Sequence, residues 1–157
     1  MKWAGIALLF LGAYLAVGKY KAWLRVRLEL LVGYADFVRE MRSRAANYLE
    51  PVSSWVGRFR SRVLEEAGFL PALRGGKRLC DAFANACGVL DGKVKATLGE
   101  LFSRTGECLS DEVRRIDRAL GVLESSVEAA TREYEDRTRV FSALALAVSV
   151  GITILAI

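Results

Sequence analysis

The chain has 157 residues with no histidine, three cysteines and two prolines, and it carries 23 basic against 18 acidic side chains, a formal net charge of +5. Without histidine the commonest general base and the commonest metal ligand are both missing. The basic excess is concentrated at the amino end: apart from Lys2, Lys19 and Lys21 the chain holds 20 basic and 18 acidic residues, a net of +2, which is no nucleic-acid footprint.

The first element is WAGIALLFLGAYLAVG, Trp3 to Gly18, sixteen uncharged residues bracketed by Lys2 and Lys19. As a helix it measures ~24 Å, short against a hydrocarbon core of ~30 Å. Trp3, Tyr20 and Trp23 suit the interfaces, and Lys19 and Lys21 can snorkel. A transmembrane helix over 1–20 is expected. The rival reading is a signal peptide, with Ala16-Val17-Gly18 as its cleavage site. Against it, no helix breaker follows Gly18, and Lys19, Lys21, Arg25 and Arg27 oppose export of what comes next.

The same helix continues through a stripe of Leu24, Leu28, Leu31, Ala35, Val38, Ala45 and Leu49, broken only by Arg42. Leu30, Tyr34, Phe37 and Met41 add a second stripe and widen the apolar face. The helix should end near Tyr48, because Pro51 cannot continue it and biases Glu50 away from helical geometry.

Pro51 suits the first turn of a second helix, with Val52, Trp55, Val56, Phe59 and Val63 on one face and Gly68 as its carboxyl-terminal cap. FLPALRGG, with a proline and two glycines, is expected to be a connector. A third helix carries Leu79, Phe83, Ala86 and Leu90 and stops at Asp91-Gly92; a fourth carries Val94, Leu98, Leu101 and Phe102 and ends near Gly106. After the cap candidate Ser110 comes a heptad seam of Val113, Ile116, Leu120, Leu123, Val127, Ala130 and Tyr134.

That last helix meets no glycine or proline from Glu124 to its final segment, VFSALALAVSVGITILAI, Val140 to Ile157, eighteen residues without a charge. At ~27 Å its length approaches the hydrocarbon thickness. Its only polar side chains are Ser142, Ser149 and Thr153, whose hydroxyls can bond back to the helix. A second transmembrane helix over 140–157 is expected.

The predicted fold is therefore all-α: an antiparallel helical bundle over 21–139 between an amino-terminal and a carboxyl-terminal transmembrane helix. Three shorter helices fill the far end of two long ones. Trp55, Phe59, Phe83, Leu98, Leu101 and Phe102 should be buried with Ile116, Leu120 and Leu123. Lys19, Lys21, Arg25 and Arg27 flank one segment and Arg132, Arg137 and Arg139 the other, which places the bundle in the cytoplasm and both termini across the membrane.

Little in the sequence suggests chemistry. Cys80 and Cys87 lie roughly 10 Å apart on one helix, too far to bridge, and Cys108 is separate; buried packing in a reducing compartment is the expectation for all three. Gly75-Gly76-Lys77-Arg78 fails as a phosphate loop, since Pro71 stands where a glycine belongs and Arg78 replaces the magnesium-binding hydroxyl. Acidic neighbours such as Glu65-Glu66 show no pairing for acid–base work. No catalytic, cofactor-binding or metal-binding residues are assigned, and no enzyme is expected. Arg58, Arg60, Arg62, Arg74, Lys77 and Arg78 form the one dense basic group away from the membrane. Two readings stay open for it: a solvated face, or a docking surface for an acidic partner.

The layout resembles the stage III sporulation protein AB family. The match is carried by the closing stretch RRIDRALGVLESSVEAATREYEDRTRVFSALALAVSVGITILAI and by the opening block MKWAGIALLFLGAYLAVGKYKAWLRVRLELL. The resemblance is architectural and spans nearly the whole chain. Where the family has a Pro-Leu pair this chain has Asn47-Tyr48, and the family's Leu-Gly-x-Ser-Asp block survives as Gly106, Ser110 and Asp111. It implies a type II secretion F-like domain and a place in the secretion-like channel between mother cell and forespore. The protein would sit in the mother-cell membrane with its domain in the cytoplasm. Implied partners are a companion ATPase, other membrane subunits and lipid, with a homo-oligomer open. The alternative is a membrane-anchored signalling or scaffolding protein that dimerises through the Val113–Tyr134 seam without an ATPase.

Overall fold

The computed structural model describes the backbone of residues 2–48, 50–103 and 109–156, and side chains except those of 1–11, 13, 47–49, 104–110, 142, 145–146 and 148–157. Among the described residues the chain is all-helical, with α1 Lys2–Tyr48, α2 Val52–Trp55, α3 Arg62–Glu66, α4 Phe69–Arg74, α5 Leu79–Ala86, α6 Gly92–Ser103 and α7 Leu109–Ala156. It divides into two compact units, one of 1–26 with 129–157 and one of 27–128.

The 27–128 unit is a helical bundle whose centre is aromatic. Phe37 of α1 has ring centroids 5.2 Å from Trp55, 5.4 Å from Phe59, 5.1 Å from Phe69 and 6.3 Å from Phe102. One turn earlier Tyr34 lies edge-on to Phe69 at 5.2 Å and Phe83 at 5.4 Å. Such edge-to-face pairs add to the burial of area that drives the cluster together. Around it close Leu31, Val38, Leu64, Leu70, Leu98, Ile116 and Leu123, all buried. Through Tyr34 and Phe37 the second stripe of α1 thus meets four other helices, α2, α4, α5 and α6, which explains why that face is wide.

Ion pairs across the bundle fix the relative direction of α1 and α7 within it. Arg39 pairs with Glu124 at 3.2 Å, and Arg42, one turn further on, pairs with Asp117, seven residues earlier on α7. Numbers rise on α1 as they fall on α7, so the two helices run antiparallel here. Arg27 meets Asp91, whose carbonyl accepts the Lys95 N–H at 2.9 Å to open α6.

The region between Pro51 and Asp91 departs from the sequence expectation. Pro51 is the residue before α2, in extended geometry, and the expected helix from Pro51 to Ala67 is split into α2 and α3 by a turn at 56–61. Trp55 and Phe59 reach the core from this turn, so one face is served without one helix. Gly68 does follow α3 in left-handed geometry, with φ 81°. FLPALRGG is no loop: it forms α4, buries Phe69, Leu70 and Leu73, and keeps Pro71 in the first turn, where no backbone donor is required.

The end of α4 is built by two hydrogen bonds, Gly76 N–H to Leu73 carbonyl at 3.0 Å and Lys77 N–H to Ala72 carbonyl at 3.1 Å. That Schellman arrangement needs a left-handed residue, and Gly76 supplies it with φ 83°. Helix α5 stops at Ala86 rather than at Leu90, though Leu90 is still buried. Among the described residues five short helices, not three, lie between the long ones.

On α7 the buried ridge is Ile116, Ala119, Leu123 and Ala130. Leu120, expected in the core, is half-buried, and so is Phe59. Ile116, Leu123 and Ala130 keep the seven-residue spacing, and Ala119 rather than Leu120 takes the inward place between the first two. Ser110, Gly106 and Leu49 lie outside the residues whose side chains are described.

In the other unit α1 and α7 meet: Tyr20 lies 6.2 Å edge-on from Phe141, and the Lys21 ammonium sits 5.5 Å over the same ring. Leu24 and Ala130 are buried, while Tyr14, Leu15, Trp23, Val26, Val140 and Leu144 are exposed. Among the described residues no helix is long and apolar enough to cross a membrane. The expected spans, 1–20 and 140–157, have most of their side chains outside the described residues.

Candidate functional site

The six basic candidates fall on four consecutive pieces of structure. Arg58 and Arg60 belong to the turn between α2 and α3, Arg62 opens α3, and Arg74 closes α4. Lys77 and Arg78 follow the Schellman end of α4 and lead into α5.

The turn is held from two sides. The Arg58 and Phe59 amides donate to the Trp55 carbonyl at 2.8 and 3.2 Å, and the Phe59 ring packs on Phe37 and Trp55. From the other side Arg74 Nη2 donates to the Phe59 carbonyl at 2.8 Å and to Glu65 Oε1 at 3.0 Å. Arg60 folds back on the turn itself, with Nη1 donating to the Gly57 carbonyl at 2.9 Å.

Exposure separates the six. The Arg62 side chain is 88% exposed and the Arg78 side chain 81%, whereas that of Arg74 is 30% exposed. Arg62 pairs with Glu66 at 2.7 Å, four residues on along the helix, and Arg78 with Asp81 at 2.9 Å. Pairs this exposed stabilise little and release their cations easily to a better partner. Arg58 and Lys77 are exposed and form no ion pair among the described residues. The Asp81 carboxyl is held below its usual range, first by the hydrogen bond from Arg78, with the charge of Lys77 a smaller contribution.

Elsewhere the bundle holds two polar atoms in apolar surroundings. The Tyr34 hydroxyl and the Trp55 indole N–H are buried without a hydrogen-bond partner. Burial raises the Tyr34 phenol, and Cys87 raises it further. The Arg44 guanidinium lies 5.7 Å over the Trp55 ring while bonding Glu40 and Glu50, each at 2.7 Å, so it clasps the corner between α1 and α2. From the sequence Tyr34 and Trp55 were simply apolar positions; their polar atoms carry no pattern that spacing reveals.

Cys80 and Cys87 are free and half-buried rather than fully buried, and Cys108 lies outside the described residues. The Cys80 thiol faces Asp81 Oδ1 at 3.7 Å and the Cys87 thiol the Ala84 carbonyl at 3.5 Å. Among the described residues no group of histidine, cysteine, aspartate and glutamate is placed to hold a metal ion. An open groove of about 330 Å³ runs along α1, lined by Leu28, Glu29, Val32, Gly33, Asp36, Ser61 and Val63. Its floor is tight: a Cβ on Gly33 would stand 3.2 Å from Leu64 Cγ and 3.3 Å from Ser61 Oγ.

The arrangement places exposed cations on and beside a turn that hydrogen bonds hold from two sides. Comparison with known protein families, with characterised proteins and with solved structures finds no match.

Proposed function

We propose that the protein is a membrane-anchored helical platform whose bundle docks a cytoplasmic ATPase. Following the resemblance to the stage III sporulation protein AB family, that platform belongs to the secretion-like channel between mother cell and forespore, in the mother-cell membrane. Both terminal segments span the bilayer in this reading, and the bundle faces the cytoplasm. One observation carries it: six of the seven exposed large apolar side chains among the described residues belong to the 1–26 and 129–157 unit. Uncovered apolar surface of this kind suits lipid, and Tyr20, Trp23 and Lys21 are the residue types found at membrane interfaces.

The scaffold alternative asks for a free seam on α7. Ile116 and Leu123 are spent inside their own bundle, which favours the platform. The test is binding of the companion ATPase to the full-length chain in nanodiscs, at low and high salt. Reversal of Arg58, Arg60 and Arg62 to glutamate should reduce binding at least tenfold and flatten its salt dependence. Normal binding by the triple variant, with helicity unchanged, would leave the basic group as a solvated face. No binding by the parent chain would remove the platform reading.

A further inference from the structure

Of the six basic candidates, Arg74 has the geometry least suited to meeting a partner. Both of its contacts run through Nη2, to a backbone carbonyl fifteen residues earlier and to a carboxylate nine residues earlier. A guanidinium nitrogen of this type has two hydrogens, so both are engaged. Its side chain is the least exposed of the three that form an ion pair in this group.

The carbonyl it takes belongs to Phe59, the residue between Arg58 and Arg60. The turn there is six residues from Val56 to Ser61, outside any helix, and carries Arg58 and Arg60 on either side of Phe59. The Phe59 ring anchors it to Phe37 and Trp55 on the inside. The peptide plane after Phe59 is held by Arg74, which donates to the Phe59 carbonyl. Through Glu65 Arg74 ties the same point to α3, so the turn, α3 and α4 are braced at one guanidinium.

We infer that Arg74 is a positioning residue: a strut that sets the Gly57–Arg60 turn so that Arg58 and Arg60 are presented together to an acidic partner surface. The functional half rests on the docking reading above; the structural half does not. Lysine at this position keeps the charge but replaces the planar fork with a point charge, and it restores the brace only in part.

The test uses the full-length chain in nanodiscs with Arg74→Ala, Arg74→Lys, Arg58→Ala and the Arg58→Ala/Arg74→Ala double variant. Hydrogen exchange is read at the Arg58 and Phe59 amides, and affinity is read for the companion ATPase. Arg74→Ala should speed exchange at those two amides about tenfold, as loss of a charged hydrogen bond in a part-exposed site implies, with Arg74→Lys between it and the parent. Exchange in α1 and α7 should be unchanged. Affinity should fall in Arg74→Ala, recover partly in Arg74→Lys, and fall by less in the double variant than the two single losses predict together.

Unchanged exchange at Arg58 and Phe59 would overturn the strut, whatever the binding shows. Additive losses of affinity would make Arg74 an independent contact and overturn the positioning role. Faster exchange with unaltered affinity would overturn it too. Should the parent bind no ATPase, the docking reading falls and the exchange measurement alone decides whether Arg74 braces the turn.

Discussion

In the bundle unit Phe37 lies among four aromatic rings with none of its surface open, whereas Tyr14 and Leu15, on the same helix, stand 73% and 57% exposed in the terminal unit. Helix α7 shows the same change, from buried Ile116 and Leu123 to exposed Val140 and Leu144. Charge and neighbours separate the two regions. Between 27 and 128 the apolar stripes alternate with side chains such as Arg39, Arg42, Asp117 and Glu124, which pair across the helices and leave one face for the core. Beyond Arg139 no charged residue remains, so there is no polar face to turn outward. Two helices of one design therefore ask for two different surroundings.

The comparison breaks most sharply at Phe37. Phe37→Ala removes the ring shared by α2, α4 and α6 and should cost about 3–5 kcal/mol, read as a lower denaturation midpoint of the bundle. A loss under about 1 kcal/mol would mean the aromatic centre is not what closes this unit. In the terminal unit the expected response is the reverse. Leu144→Arg should leave bundle melting unaltered yet weaken bilayer insertion by about 2.5–3.5 kcal/mol, measured by partition into vesicles. Equal partition of the variant and the parent would place Leu144 in water.

Leu120→Ala sharpens the boundary within α7. Being half-buried, Leu120 should cost about half of the 2–5 kcal/mol expected for buried Leu123→Ala in the same melting assay. Equal losses would restore the heptad seam as the packing surface. The smallest effect concerns pH. Asp81 has a lowered folded-state pKa, so its pair with Arg78 stabilises the fold above the unfolded aspartate value of about 3.9 and is lost as pH falls through the lower folded value. Asp81→Asn should abolish that part of the acid dependence, and parent and variant should converge as the pH falls toward that lower value. Parallel pH curves would show that the pair contributes nothing.

Much of the α1 and α7 backbone could be read in advance because each extends over dozens of residues, and a period repeated that often outweighs local exceptions. The end of α1 at Tyr48 follows from Pro51 by sterics alone. The stretch from Pro51 to Asp91 could not be read so well. Helices of four to eight residues are marginal in isolation, and packing rather than propensity sets their limits. Hence Val56–Ser61 left the helix although its apolar spacing was helical, and Phe69–Arg74 entered one although Pro71 and two glycines suggested a loop.

What the sequence by itself determined is the class of the fold, the two long helices, the break at Pro51 and the residues that could bear charge toward a partner. Each follows from local sterics or from a period confined to one element. Only the tertiary structure decided that Ala119 and not Leu120 faces inward, because the facing of a helix depends on the phase at which its neighbours meet it. Only the tertiary structure decided that Arg74 serves the turn rather than the surface. Its partners, Phe59 and Glu65, lie on other elements, and a hydrogen bond between elements leaves no periodic trace in a chain.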